Sequence, residues 1–205
     1  MDRGQRGYSR AVVVLIATMA TAGCFTPNLH DWGGPEVGSA FGSAIAGGDV
    51  DGDGHSDVII GAPTAAFTGG ALQIFSGAPG GTHLYNVIGE ELDPLIGQFG
   101  SSVDVLGDVD GDTLADFVAG ATNLAEIGQA FVLRGVDGAL LQEVAGDQVD
   151  DHFGFSAAAL GDADGDDSPD FAVGAPRRDG LAGADSGRVS AFAADSGLPL
   201  YDADG

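Results

Sequence analysis

The sequence predicts an all-β fold made of three repeated units, each a four-stranded antiparallel blade of a β-propeller. The first observation is a repeat, because a Phe-Gly pair opens a unit at Phe41, Phe99 and Phe153, about 55 residues apart. The second is that short apolar runs in each unit end at glycine and are separated by turn residues, which is typical of strands. The third is the 36 glycines in 205 residues, since tight turns and close backbone approach require glycine.

The elements recur in the same order in each unit. The first strand follows the Phe-Gly pair. The second strand is predicted at residues 58–60, 117–119 and 171–173, the third at 70–75, 128–133 and 187–192, and the fourth at 84–89, 141–146 and 200–205. Four strands at this period are typical of a propeller blade. We therefore assign residues 39–98 to blade 1, 99–152 to blade 2 and 153–205 to blade 3.

An acidic loop lies between the first and second strand of each unit. Four aspartates occupy its positions 1, 3, 5 and 9, and position 7 can offer a backbone carbonyl. Hard oxygen ligands in this number suit calcium better than magnesium, which keeps more of its water. The predicted ligands are Asp49, Asp51, Asp53, His55 and Asp57 in loop one, Asp108, Asp110, Asp112, Leu114 and Asp116 in loop two, and Asp162, Asp164, Asp166, Ser168 and Asp170 in loop three.

These loops begin like an EF-hand but end differently. An EF-hand needs a glutamate at position 12, where this chain has Ile60, Ala119 or Val173. The aspartate at position 9 is therefore expected to provide the last carboxylate ligand of each site. The alternative is a solvated turn without metal, although packed carboxylates repel one another unless a cation lies among them.

Position 6 of each loop requires a left-handed backbone, which glycine adopts freely and a β-branched residue does not. Loop one has Gly54, loop three has Asp167 and loop two has Thr113. We expect loop two to bind most weakly or to turn differently.

These motifs resemble the FG-GAP repeats of integrin α-chains and many bacterial surface proteins. Phe41-Gly42 with residues 61–63 (Gly-Ala-Pro), and Phe153-Gly154 with residues 174–176 (Gly-Ala-Pro), carry both elements of that name. Blade 2 departs at Thr122, the third residue of its Gly-Ala-Thr sequence. The resemblance implies calcium in the acidic loops, up to three ions, and ligands on the opposite face of the propeller.

Three blades do not close a ring in the usual way, since propellers have four to eight blades. The sequence leaves three alternatives open. The chain is a fragment of a longer propeller, or several chains assemble, or a short open form exists.

The N-terminus predicts export. Residues 1–23 combine three arginines with a short apolar stretch, as a signal peptide does, and lead into Cys24. This pattern resembles a bacterial lipobox, so Cys24 is predicted to carry lipid and anchor the chain to a membrane surface. An ordinary secretory signal with a free Cys24 is the alternative. Residues 24–38 are predicted to be a linker.

The charge argues against several functions. The chain has 31 acidic residues, seven arginines, no lysine and a formal net charge of −24. A phosphate-binding P-loop needs its lysine and a nucleic-acid surface needs basic residues, so we expect neither nucleotide nor nucleic-acid binding. Without Gly-x-Ser-x-Gly or His-Glu-x-x-His motifs, we also expect no enzyme activity.

The predicted function is a calcium-binding, surface-anchored module that binds a protein or glycan, as in adhesion. The alternatives are a non-catalytic part of a larger secreted hydrolase and a structural envelope protein. Ligand contacts are expected in residues 64–69, 90–98, 122–127, 147–152 and 177–186. Arg177 and Arg178 are candidates to hold an anionic group, and local pairing with Asp179 and Asp185 is the alternative.

Overall fold

The computed structural model of the protein describes residues 32–34, 37–65, 69–122, 127–180 and 182–205. The predicted signal peptide and Cys24 lie outside the described residues. Over the described part of the chain, no helix has the length and apolar character needed to cross a membrane.

Three antiparallel sheets of four strands form the fold, which confirms the predicted all-β blades. In each sheet the strands follow one another in sequence order, so neighbouring strands are joined by turns. The strands are β1 (Ile45–Gly48), β2 (Asp57–Ala62), β3 (Ala71–Phe75) and β4 (His83–Ile88) in blade 1; β5 (Phe99–Gly107), β6 (Asp116–Ala121), β7 (Gln129–Leu133) and β8 (Leu140–Ala145) in blade 2; and β9 (Ser156–Gly161), β10 (Asp170–Ala175), β11 (Arg188–Ala193) and β12 (Pro199–Asp204) in blade 3.

The second strand of each blade is the most buried, because its apolar residues face neighbours on both sides. Every residue of β2 and of β6 is buried. A strand covered on both faces needs a nearly continuous apolar sequence, which these runs supply. A four-residue helix, α1 (Gly89–Leu92), follows β4 and was not predicted from the sequence.

Neighbouring blades share hydrophobic cores. One core joins Ile59 and Leu72 of blade 1 to Phe117 and Phe131 of blade 2. A second core joins β6 and β7 to β10 and β11, and Phe153 lies within it. The Phe-Gly pair of one blade thus packs against the blade before it. Each blade buries its faces against its neighbours, as expected for a repeat fold.

The outward faces of blades 1 and 3 expose residues whose counterparts in blade 2 are buried. Ile45 of β1 is 48% exposed, whereas Val103 at the same register of β5 is 9% exposed. Leu160 of β9 is 39% exposed and its counterpart Leu106 is 8% exposed. The described blades therefore form an open array with an apolar face at each end.

A hydrogen bond ties blade 1 to blade 2, since the Tyr85 hydroxyl of β4 donates to the Gly135 carbonyl oxygen. Burial is the main cause that raises the pKa of Tyr85, so the hydroxyl keeps its proton at neutral pH.

Tyr85→Phe should lower the free energy of unfolding by about 1–3 kcal/mol, because the Gly135 carbonyl oxygen would lose its donor. Urea denaturation measures the change. Tyr201→Phe, at an exposed position of β12, is the control and should change little; equal effects of both variants would contradict the role of Tyr85.

Candidate metal centre

Each acidic loop folds around its first aspartate, directly after the first strand of its blade. In all three loops this carboxylate accepts hydrogen bonds from the backbone N–H groups of positions 4 and 6. The distances are 2.8 and 3.0 Å to Asp49, 2.7 and 2.9 Å to Asp108, and 2.6 and 3.2 Å to Asp162. The carboxylate at position 3 accepts a hydrogen bond from the backbone N–H of position 5, and the carboxylate at position 5 accepts one from the backbone N–H of position 7. The aspartates therefore curl the backbone so that alternate carboxylates surround one centre.

The aspartate at position 9 of each loop lies beneath that loop, at the start of the second strand. Asp57, Asp116 and Asp170 are fully buried. One oxygen of each accepts the N–H of position 2, at 2.9, 2.8 and 2.6 Å. Burial is the main cause that raises the pKa of Asp57 and of Asp116 above the usual aspartate value. Keeping these carboxylates charged is therefore costly, and a nearby cation would offset that cost.

Three carboxylates in each loop approach closely enough to share an ion. One oxygen from each member of a trio lies within 4.8 Å of the others. The trios are Asp49, Asp51 and Asp53; Asp108, Asp110 and Asp116; and Asp162, Asp164 and Asp170. The structure thus brings together nine of the predicted ligands. Asp57, Asp112 and Asp166 belong to no trio. At position 7, His55, Leu114 and Ser168 each donate a backbone N–H to the carboxylate at position 5. Metal binding by the backbone carbonyls of position 7 stays a prediction.

Loop two turns in the same way as the other loops, so a different turn, one of the two alternatives expected for it, is not observed. Position 6 is left-handed in all three, with φ of 83° at Gly54, 74° at Thr113 and 72° at Asp167. The N–H of position 6 must point at the first carboxylate, and this contact holds Thr113 in a conformation that β-branched residues avoid. Weaker metal binding by loop two stays a prediction.

Thr113→Gly should raise the free energy of unfolding by about 1 kcal/mol, because glycine adopts a left-handed backbone without steric cost. Thermal unfolding in metal-free buffer measures the gain. Asp167→Gly is the matched control, and its gain should be smaller because aspartate tolerates this conformation better. A loss of stability in Thr113→Gly would show that Thr113 is not strained.

The sequence-based alternative paired Arg177 and Arg178 with the carboxylates of Asp179 and Asp185. The Arg178 guanidinium instead forms its ion pair with Asp147, and it reaches Asp179 only at the backbone carbonyl oxygen, at 2.8 Å. Its Nε and Nη2 donate to the two Asp147 oxygens at 2.8 and 2.6 Å. These hydrogen bonds are the main cause that lowers the pKa of Asp147. Arg188 also contacts Asp147, at 3.4 Å, and donates to Asp204. Arg178 therefore holds the loop between blades 2 and 3 in place, whereas the Arg177 side chain is exposed.

Trp32 covers part of the outward face of blade 1. Its ring centroid lies 5.0 Å from that of Phe75, and its Nε1 donates to the Gly81 carbonyl oxygen at 3.0 Å. Phe41 packs beside it on Val58 and Ile60. Trp32 and Phe41 therefore shield part of the apolar outward face of blade 1 from solvent.

Residues 41–87 and 153–192 match the FG-GAP repeat family. The chain contains FG-GAP repeats. The matched segments lie in blades 1 and 3, and blade 2 shows the same strand order and the same acidic loop between its first two strands.

Integrin α-chains are similar to this chain over about two thirds of its length. Integrin alpha-V of Gallus gallus is 34% identical over 149 residues, which cover 67% of this chain and 14% of the integrin. Integrin alpha-X of Homo sapiens is 35% identical over 157 residues, which cover 69% of this chain and 13% of the integrin. The chain therefore spans only a small part of the length of these curated relatives.

A solved rhamnogalacturonan lyase, YesW, has a TM-score of 0.48 and 15% sequence identity to this chain, covering 78% of this chain and 34% of the lyase. A likeness at this level does not extend to activity.

Proposed function

We propose that this chain is a calcium-binding interaction module of the cell surface, whose FG-GAP blades hold up to three Ca²⁺ ions and present loops to a protein or glycan. The observation that carries the proposal is the acidic loop, which in each of the three blades brings three carboxylates within 4.8 Å of one another. The proposal assigns no catalysis to the chain.

The donor set favours calcium. Each trio offers only carboxylate oxygens, on a loop exposed at its tip. Calcium accepts six to eight oxygens in flexible geometry, and weak sites of this kind are filled outside the cell, where calcium is abundant. The formal charge of −24 gives bound cations a further favourable field.

The ligand is proposed to contact the end of the blades opposite the acidic loops. In an antiparallel blade the loops between the second and third strands lie at that end, as do the connections between blades. Arg177 lies there, exposed, and its backbone N–H donates to the Asp151 carbonyl oxygen at 3.0 Å. An exposed guanidinium on a strongly anionic chain suits an acidic group on the ligand, such as a uronic acid.

Isothermal titration of the metal-free protein with CaCl₂ tests the metal sites. We expect up to three ions per chain, with magnesium binding more weakly. Substitution of one trio, as in Asp49→Asn/Asp51→Asn, should remove one ion. Absence of calcium binding at millimolar concentration would reject the proposal.

Binding to acidic glycans and to envelope proteins tests the ligand face. Arg177→Ala should weaken binding without changing the melting temperature, because Arg178 keeps its contact with Asp147. Arg134→Ala is the control, since Arg134 pairs with Asp137 in the turn between β7 and β8, at the end that carries the acidic loops. If both variants bind as well as the parent chain, Arg177 makes no ligand contact.

Lipid at Cys24 is the proposed anchor. Mass spectrometry of membrane-extracted protein should show a diacylglyceryl-type addition on Cys24, and Cys24→Ser should release the chain. Unmodified Cys24 in soluble protein would contradict the anchor.

A further inference from the structure

Loop three differs from the other loops in the backbone group that lies beneath the aspartate at position 9. In blades 1 and 2 a glycine two residues after the third strand donates its N–H to the second oxygen of that aspartate. Gly77 donates to Asp57 Oδ1 at 3.0 Å, and Gly135 donates to Asp116 Oδ1 at 2.9 Å. Both oxygens of these buried carboxylates therefore have a backbone partner.

The equivalent residue of blade 3 is Ala194, as the pairing of Phe171 with Phe192 shows. The Ala194 N–H donates to the Pro169 carbonyl oxygen at 3.3 Å. Asp170 Oδ2 accepts from Ala163 and Asp164, but Asp170 Oδ1 is buried and has no hydrogen-bond partner among the described residues.

The side chain of Ala194 explains the difference. A methyl group at Gly77 would overlap the Ser56 carbonyl oxygen, and one at Gly135 would overlap the Ala115 carbonyl oxygen. Only glycine can approach closely enough for its N–H to reach the ninth aspartate in that geometry. Ala194 already carries a methyl group, which is fully buried in the core between blades 2 and 3.

We propose that Ala194 makes loop three the metal-dependent loop of the protein, in which a bound cation offsets the charge of the Asp170 carboxylate that has no partner at Oδ1. This inference rests on the proposed calcium function. Asp170 belongs to the loop-three trio with Asp162 and Asp164, so an ion held there would lie against its carboxylate. A buried charged oxygen without a partner destabilises the folded state. Blade 3 is therefore the blade that calcium stabilises most.

Asparagine substitutions test the inference without any metal. Asp116→Asn should lower the melting temperature of the metal-free protein, because one of the two N–H donors loses its acceptor. Asp170→Asn should raise it or leave it unchanged, because the amide NH₂ can take the position of the unpartnered oxygen. A fall of equal size in both variants would overturn the inference and leave the calcium proposal intact.

Hydrogen exchange with and without CaCl₂ provides the second test. In the parent chain we expect calcium to slow exchange of the loop-three amides about tenfold more than those of loops one and two, as an unsatisfied buried group predicts. Ala194→Gly should supply the missing donor and shrink this excess. Ala193→Gly, which removes a neighbouring buried methyl group, should not. Equal protection of all three loops would overturn the inference, whereas no protection of any loop would reject the calcium proposal itself.

Discussion

Gly120→Ala should lower the free energy of unfolding by about 3 kcal/mol, because the close contact between blades 2 and 3 has no room for a methyl group. Gly120 lies in β6, and a Cβ there would overlap the Gly154 carbonyl oxygen and the Ser102 hydroxyl. Ser102 also donates to the Gly154 carbonyl oxygen, at 2.9 Å, which fixes that backbone in place. Urea denaturation followed by circular dichroism measures the loss.

Gly174→Ala is the matched control for this variant. Gly174 occupies the same position in β10, but its nearest neighbour is the Ser156 hydroxyl, a small group that can rotate away. The expected change is below about 1 kcal/mol, because no backbone atom must move. If the two variants lost the same stability, contact between neighbouring blades would not be the reason for these glycines.

The strands and acidic loops could be predicted because their signals are local and repeated. The residues 58–60 form part of β2 as predicted, since an apolar run between turn residues has few alternatives. The ninth aspartate could be placed from its spacing alone. The short helix α1 was missed because four residues leave no helical period to detect.

Other features depend on contacts that the local sequence does not specify. Asp147 and Arg178 are 31 residues apart in the sequence, and only the packing of blade 2 on blade 3 brings them together. The turn at Thr113 shows a hydrogen bond within the loop overriding the preference of a single residue, since the Asp108 carboxylate fixes the direction of the N–H. The substitution of glycine by Ala194 was visible in the aligned repeats, but its consequence required the position of Asp170 Oδ1.

Calcium should raise the melting temperature by about 10 °C. Each site that binds only the folded state contributes about 1.4 kcal/mol at a tenfold excess over Kd, so three sites contribute about 4 kcal/mol. For a domain of this size each kcal/mol shifts the midpoint by about 2–4 °C. The physical source is the relief of repulsion among carboxylates that lie within 4.8 Å of one another. Differential scanning calorimetry in chelator and in 5–10 mM CaCl₂, on the order of the weak extracellular affinities, measures the shift.

General screening is the main competing explanation, since the chain carries a net charge of −24 and any salt weakens repulsion between exposed charges. MgCl₂ at the same concentration and NaCl at the same ionic strength should therefore give smaller shifts. Site-specific binding further predicts that Asp53→Ala reduces the calcium shift more than Asp112→Ala. Asp53 belongs to the loop-one trio, whereas Asp112 lies outside the loop-two trio beside the strained Thr113. Identical shifts with all three salts would mean that the acidic loops respond only to ionic strength.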